Sequence, residues 1–280
     1  MYIAFDKVNH HALFIKLINI LFRVQLLNII INLFYCCESC VKWDSVYSSM
    51  FVITSGVRQG SVLSPILFNL YINDLANINP GINRICIILY ADDILLIAPS
   101  VTMVEKLLHM CEIELRWLGM LINTKKSCCM RIGPRADGVY TCNNITCFSG
   151  LSLSWINEIR YLGIFVKRSR YFKCSLDHAK RSFYRSANAI FGKVGRIASE
   201  EVILQLLYSK CVPILLYSLE VCPLNISDIR SLDFAIDRFF MKLLKTNNIN
   251  IVRICQTQFG YQLPSVTIKK RTENFLNKIN

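Results

Sequence analysis

Ile85-Cys86-Ile87-Ile88-Leu89-Tyr90-Ala91-Asp92-Asp93-Ile94-Leu95-Leu96-Ile97-Ala98 is the stretch on which the fold turns. Two short apolar runs meet at a tight acidic turn, a pattern that reads as a buried β-hairpin. Adjacent carboxylates are costly in apolar surroundings unless something compensates them. A divalent cation would do so, and Mg²⁺ suits one or two carboxylates completed by phosphate oxygens. The plain alternative is a surface Asp-Asp turn.

Four further segments flank this hairpin. Upstream runs Ser55-Gly56-Val57-Arg58-Gln59-Gly60-Ser61-Val62-Leu63-Ser64-Pro65-Ile66-Leu67-Phe68, and the chain opens on Ala4-Phe5-Asp6-Lys7-Val8-Asn9-His10. Downstream come Asn123-Thr124-Lys125-Lys126-Ser127 and Arg160-Tyr161-Leu162-Gly163. In this order the segments resemble motifs A to E of reverse transcriptases, in the form found in non-LTR (LINE-type) retrotransposons. The resemblance runs from Met1 to about Val166 and more weakly beyond.

The resemblance implies a right-hand polymerase that copies RNA into DNA with two metal ions. By that likeness Asp92 is a metal ligand and Asp93 adds charge beside it, so Mg²⁺ is the implied cofactor. Arg58, Gln59 and Gly60 would face nucleotide or nucleic acid, with Gly56 and Gly60 suited to close backbone approach. Phe5 maps to the steric gate against a ribose 2′-OH. Lys126, with Lys125 a rival, maps to the lysine near the departing pyrophosphate. Tyr161, Leu162 and Gly163 map to the primer grip. The implied partners are an RNA template, a DNA primer and dNTPs.

Motif A departs from the family pattern. The family's first aspartate stands six positions before the last, and the last is here Asp6, so the metal-binding position falls just before Met1. Tyr2-Ile3 also replaces the usual small residue and lysine. Asp6 is therefore expected to help begin the next helix rather than to bind metal. The chain reads as cut off past the first catalytic aspartate, with an incomplete metal site and weak activity expected.

The charge distribution points the same way. The formal net charge is +13 and the pI about 9.2, a surplus that favours polyanions. It is concentrated in Arg160, Lys167, Arg168, Arg170, Lys173, Lys180, Arg181, Arg185, Lys193 and Arg196, opposed only by Asp177. Tyr171, Phe172, Phe183 and Tyr184 are interleaved. Lys167, Arg168, Arg170, Lys180, Arg181 and Arg185 are the expected phosphate contacts of a thumb on a primer–template duplex.

The remaining pattern sets the architecture. Apolar spacing over His11 to Phe34 predicts one or two buried helices, and Ser64-Pro65 a helix start. Val104 to Met120 reads as helix, Ser152 to Val166 as strands, and the chain from Ser175 as helix almost to its end. Ser199 and Ser227 are expected N-caps, and Pro213 should kink or break its helix. The fold class is α+β: an antiparallel palm over 1–166 with partial fingers, then a helical thumb and C-terminal region over 167–280.

Other classes find less support. The apolar stretch Val24 to Cys37 lies between Arg23 and Glu38 and is too short to span a bilayer. MYIAFDKVNHH lacks the order of a signal peptide, so a nuclear or cytoplasmic ribonucleoprotein is expected rather than a secreted protein. Cys37 and Cys40 form a CxxC that no second pair answers, which disfavours zinc. The competing function is a non-catalytic nucleic-acid-binding remnant. An intron maturase or an RNA-dependent RNA polymerase fits the wording of the motifs less well.

Overall fold

Asn9 starts the first long helix: its side chain accepts the Ala12 N–H at 3.1 Å. The computed structural model describes residues 3–78, 84–134, 144–195 and 197–279. These fall into two compact units, Met1–Cys128 with Thr141–Ser154, and Cys129–Tyr140 with Trp155–Asn280. Strands and helices are mixed in the first, and helices dominate the second, as an α+β chain requires.

The first unit opens with a single turn α1 (Ile3–Asp6), then α2 (His10–Asn19) and α3 (Val24–Tyr35). Only Leu27 and Ile30 of α3 are buried, while Ile29 and Leu33 are exposed. The expected pair of helices is there, but the second covers the core with one stripe only. Four two-residue strands follow: β1 (Glu38–Ser39), β2 (Lys42–Trp43), β3 (Val46–Tyr47) and β4 (Phe51–Val52), with β1 paired to β4 and β2 to β3.

Helix α4 (Leu63–Ala76) begins one residue before Ser64. Ser64 does not cap it; the buried hydroxyl donates back to the Arg58 carbonyl at 2.6 Å. Pro65 sits in the first turn, where its missing N–H costs nothing. Leu67, Phe68, Tyr71, Ile72 and Leu75 form the buried face of α4. Tyr71 is fully buried; its hydroxyl receives the Asn9 N–H at 3.2 Å and donates to the Leu118 carbonyl at 2.7 Å. That one phenol ties α4 to both ends of the unit's core, and burial raises its pKa.

The hairpin is β5 (Cys86–Tyr90) and β6 (Asp93–Ile97), with Tyr90 opposite Asp93. It is not buried as expected. Ile87, Leu89, Ile94 and Leu96 lie against the core, while Ile88, Tyr90 and Ile97 on the other face are exposed. The alternation of a strand pair with one packed face explains this. Helix α5 (Val101–Trp117) is capped by Ser100, which accepts from Met103 N–H.

Short strands β7 (Cys128–Cys129) and β8 (Ser154–Trp155) stand where the chain passes between units. The second unit then forms β9 (Glu158–Tyr161), β10 (Ile164–Lys167) and β11 (Lys173–Cys174) in one antiparallel sheet with β10 central. Helices α6 (Asp177–Val194), α7 (Glu200–Leu206), α8 (Val212–Leu215), α9 (Ile226–Leu243), α10 (Ile249–Gln258) and α11 (Pro264–Ile279) complete it. A π-helical turn at Leu207–Cys211 joins α7 to α8 and places Pro213 in the first turn of α8. The proline is thus accommodated by a widened turn rather than a sharp break.

Ser199 precedes α7 but makes no side-chain cap bond. Ser227 is not a cap: α9 is started by Asn225, in a capping box with Asp228. Phe183, Ala187, Leu232, Ile236, Phe240 and Val252 lie in this unit's core. Among the described residues no helix is long and apolar enough to cross a membrane.

Candidate polymerase site

The acidic turn consists of Ala91 and Asp92 between the paired residues Tyr90 and Asp93. Ala91 has φ 49°, a left-handed conformation that costs a non-glycine residue roughly 1–2 kcal/mol. Such strain gathers where a turn must aim side chains. Asp92 and Asp93 are both exposed, so water, not an apolar wall, surrounds the carboxylates. Among the described residues no three His, Cys, Asp or Glu side chains gather into a metal-binding group. Two adjacent exposed carboxylates suit a Mg²⁺ that keeps water and phosphate ligands. They do not by themselves make the two-ion clamp, whose ions stand about 3.5–4 Å apart.

Phe5 stacks on Phe68 of α4, ring centroids 4.4 Å apart at 19°. Its ring is half-buried, held at the edge of the core. The Ser55–Gly60 loop is laced to this segment. Val57 N–H donates to the Phe5 carbonyl and Gly56 N–H to the Val8 carbonyl, each at 2.8 Å. Gly56 has φ +90°, and a Cβ there would lie 2.9 Å from the Asp6 backbone. The close approach expected of this glycine is therefore to its own chain. Gly60 has φ +83° with open space around it.

Asp6 does not start a helix; it ends α1, and its carboxylate accepts the Gln59 side-chain amide at 2.9 Å. Arg58 reaches Cys37 Sγ at 3.7 Å and is exposed. Lys125 and Lys126 are both exposed in the turn after α5.

In the second unit, Leu162 (φ 47°) and Gly163 (φ 88°) form the two-residue turn between β9 and β10. Positive φ at both positions is what a type I′ hairpin needs. Tyr217, just after α8, packs on this turn. A Cβ at Gly163 would lie 2.8 Å from its ring, and its hydroxyl donates to the Leu162 carbonyl at 3.4 Å. Tyr217 was not legible as a partner because nothing in the sequence links it to Gly163 across that separation.

The basic segment divides into engaged and open side chains. Lys167 pairs with Asp177 at 2.8 Å, which raises the lysine pKa and lowers that of Asp177. Arg168 lies 3.4 Å from Asn157 Oδ1. Arg181 donates to the Asp177 carbonyl at 3.3 Å, and Arg170 lies over Tyr171. Lys180 is half-buried, and Arg185 is exposed one turn beyond Arg181. Phe183 is fully buried and Tyr184 packs against the core, so neither is a stacking platform. Tyr171 and Phe172 are exposed. Arg196 lies outside the described residues.

A profile described as reverse transcriptase (RNA-dependent DNA polymerase) matches residues 1–166. This chain belongs to the reverse transcriptase family. The match takes in the acidic hairpin, the Ser55–Phe68 loop and helix start, and the Phe5 segment together. A curated relative, the RNA-directed DNA polymerase from mobile element jockey of Drosophila funebris, is 30% identical over 234 residues. That alignment covers 78% of this chain and 25% of the relative, so this reverse transcriptase chain spans about a quarter of the relative's length. The likeness places it with non-LTR retrotransposon reverse transcriptases. The family works with divalent metal ions on nucleic acid and deoxynucleotides.

Proposed function

We propose that this chain is the RNA-directed DNA polymerase part of a non-LTR element, with a palm and partial fingers over 1–166 and a helical thumb region over 167–280. Its substrates are an RNA template, a DNA primer and dNTPs, and it works in a nuclear or cytoplasmic ribonucleoprotein. The observation that carries this reading is the strained turn that presents Asp92 and Asp93 to solvent within a family-matched segment. Mg²⁺, when bound, supplies charge neutralisation at the reacting phosphate and activation of the primer 3′-OH.

The chain's own residues do the rest. Asp92 and Asp93 hold the ion, and Phe5 screens the sugar from a half-buried position. Arg58, Gln59 and Gly60 line the nucleotide's approach, and Lys126 stands toward the leaving pyrophosphate. Tyr161, at the end of β9, and the Leu162–Gly163 turn receive the primer end. Lys167, Arg168, Arg170, Lys180, Arg181 and Arg185 provide phosphate contacts.

The test separates binding from chemistry. Primer extension on oligo(dT)-primed poly(rA) is measured with Mg²⁺ or Mn²⁺, for this chain and for a version with an Asp grafted six residues before Asp6. We expect weak extension from the first and strong extension from the second. Asp92→Ala should abolish both while hybrid binding persists. A barrier rise of about 4 kcal/mol already costs roughly a thousandfold in rate. Extension that survives Asp92→Ala would overturn the assignment.

A further inference from the structure

The segment Phe5–His10 and the loop Ser55–Gly60 are joined by more bonds than either motif needs for its own shape. Two are backbone to backbone, from Val57 N–H to Phe5 and from Gly56 N–H to Val8. Three involve side chains. His10 Nε2 lies 2.8 Å from the Gly56 carbonyl, Ser55 Oγ donates to the Asp6 carbonyl at 3.4 Å, and Gln59 Nε2 donates to Asp6 Oδ1 at 2.9 Å. Gly56 lets the two backbones meet, since any side chain there would strike Asp6.

The His10 ring is itself braced. It lies edge-on to Phe34 of α3, centroids 4.5 Å apart. The helix that carries it is capped by Asn9, whose N–H is held by Tyr71. The far end of the loop is fixed by Ser64, which bonds the Arg58 carbonyl. Between these anchors Gln59 is an exposed side chain, and among the described residues its amide is bonded to Asp6. A glutamine on an open loop would otherwise sample several rotamers, and a ligand would have to order it.

We propose that Asp6 and His10 are positioning residues for the nucleotide site: together they latch the Gly56–Gly60 loop onto the Phe5 segment and hold the Gln59 amide in one orientation. The sugar-facing ring at Phe5 and the amide at Gln59 then move as one body. Asp6 leaves one amide proton and the carbonyl oxygen of Gln59 for an incoming deoxynucleotide. This rests on the polymerase reading for the identity of the ligand, and on the bonds above for the latch.

The experiment uses the full chain with Asp6→Ala, Asp6→Asn and His10→Ala. Amide hydrogen exchange is followed over residues 54–62, with the helices α5 and α9 as internal standards. On a primer ended by a dideoxynucleotide, affinity for the next correct dNTP is measured in Mg²⁺. Asp6→Ala and His10→Ala should speed exchange at Gly56 and Val57 and weaken dNTP binding, about five- to tenfold for the loss of one ordinary hydrogen bond. Asp6→Asn keeps the Oδ1 acceptor and should restore both within about twofold.

Unchanged exchange in Asp6→Ala would overturn the latch. So would a loosened loop with unaltered dNTP affinity, or an Asp6→Asn variant as impaired as Asp6→Ala. Failure of both the unsubstituted chain and its Asp-grafted version to bind any dNTP would instead overturn the polymerase reading, and this proposal with it.

Discussion

Phe5 has one role that its packing shows and one that we propose. Its ring is stacked on Phe68 and half-buried, so it contributes to the core, and in the proposed site it also screens the sugar of the incoming nucleotide. Phe5→Val should therefore act twice. It removes aromatic packing, lowering thermal stability by a few degrees, roughly 1–3 kcal/mol for a partly buried ring cut back. It also opens space for a 2′-OH, so the ratio of kcat/KM for dNTP over rNTP should fall by roughly tenfold or more. A variant that loses stability yet keeps full discrimination would leave Phe5 a core residue only. The motif positions were legible in the sequence because their wording is dense and ordered. The partners of those positions were not. Gln59 bonded to Asp6, Ser64 bonded to Arg58 and Tyr217 packed on Gly163 join residues whose pairing no local pattern encodes.

Among the elements, the hairpin and the helices followed from periodicity, but their depth did not. Alternation gives the two faces of β5 and β6 without saying whether the second face is covered, and the acidic turn proved exposed. Helix starts were misplaced by one or two residues at Ser64 and Ser227, because several capping residues compete near each start and packing chooses among them. The start of α6 carries a pH dependence. Asp177 is held below its ordinary 3.8 by the Lys167 ammonium, and Glu158 below 4.5 by Ser175 and then His178. A depressed carboxyl stabilises the fold at pH above its ordinary value, and the contribution is lost as pH falls through the folded value. Lys167, held above 10.5, gives up the same pair only in strong alkali. Stability against urea should thus decline below about pH 4. Lys167→Met should reduce that decline without removing it, since Glu158 remains. An unchanged acid slope in Lys167→Met would show that the pair contributes nothing to folding, as exposed pairs sometimes do.

For the molecule as a whole, charge and family agree on nucleic acid as the class of partner, and the proposed function makes it a primer–template duplex. The surplus of basic residues is concentrated in the second unit, but part of it is already engaged with Asp177 and Asn157. Replacing Lys180, Arg181 and Arg185 by Ala should flatten the plot of log affinity against log salt by about 0.9 for each phosphate no longer neutralised on a DNA duplex. An identical slope would remove these residues from the duplex grip. Whether Asp92 and Asp93 serve templated synthesis is decided by changing the template. With the Asp-grafted chain in Mg²⁺, single-nucleotide incorporation is measured on hybrids whose first unpaired template base is rA, rC, rG or rU. We expect dTTP, dGTP, dCTP and dATP respectively to be added, and Asp92→Ala to add none. Incorporation indifferent to the template base, or undiminished in Asp92→Ala, would refute that role.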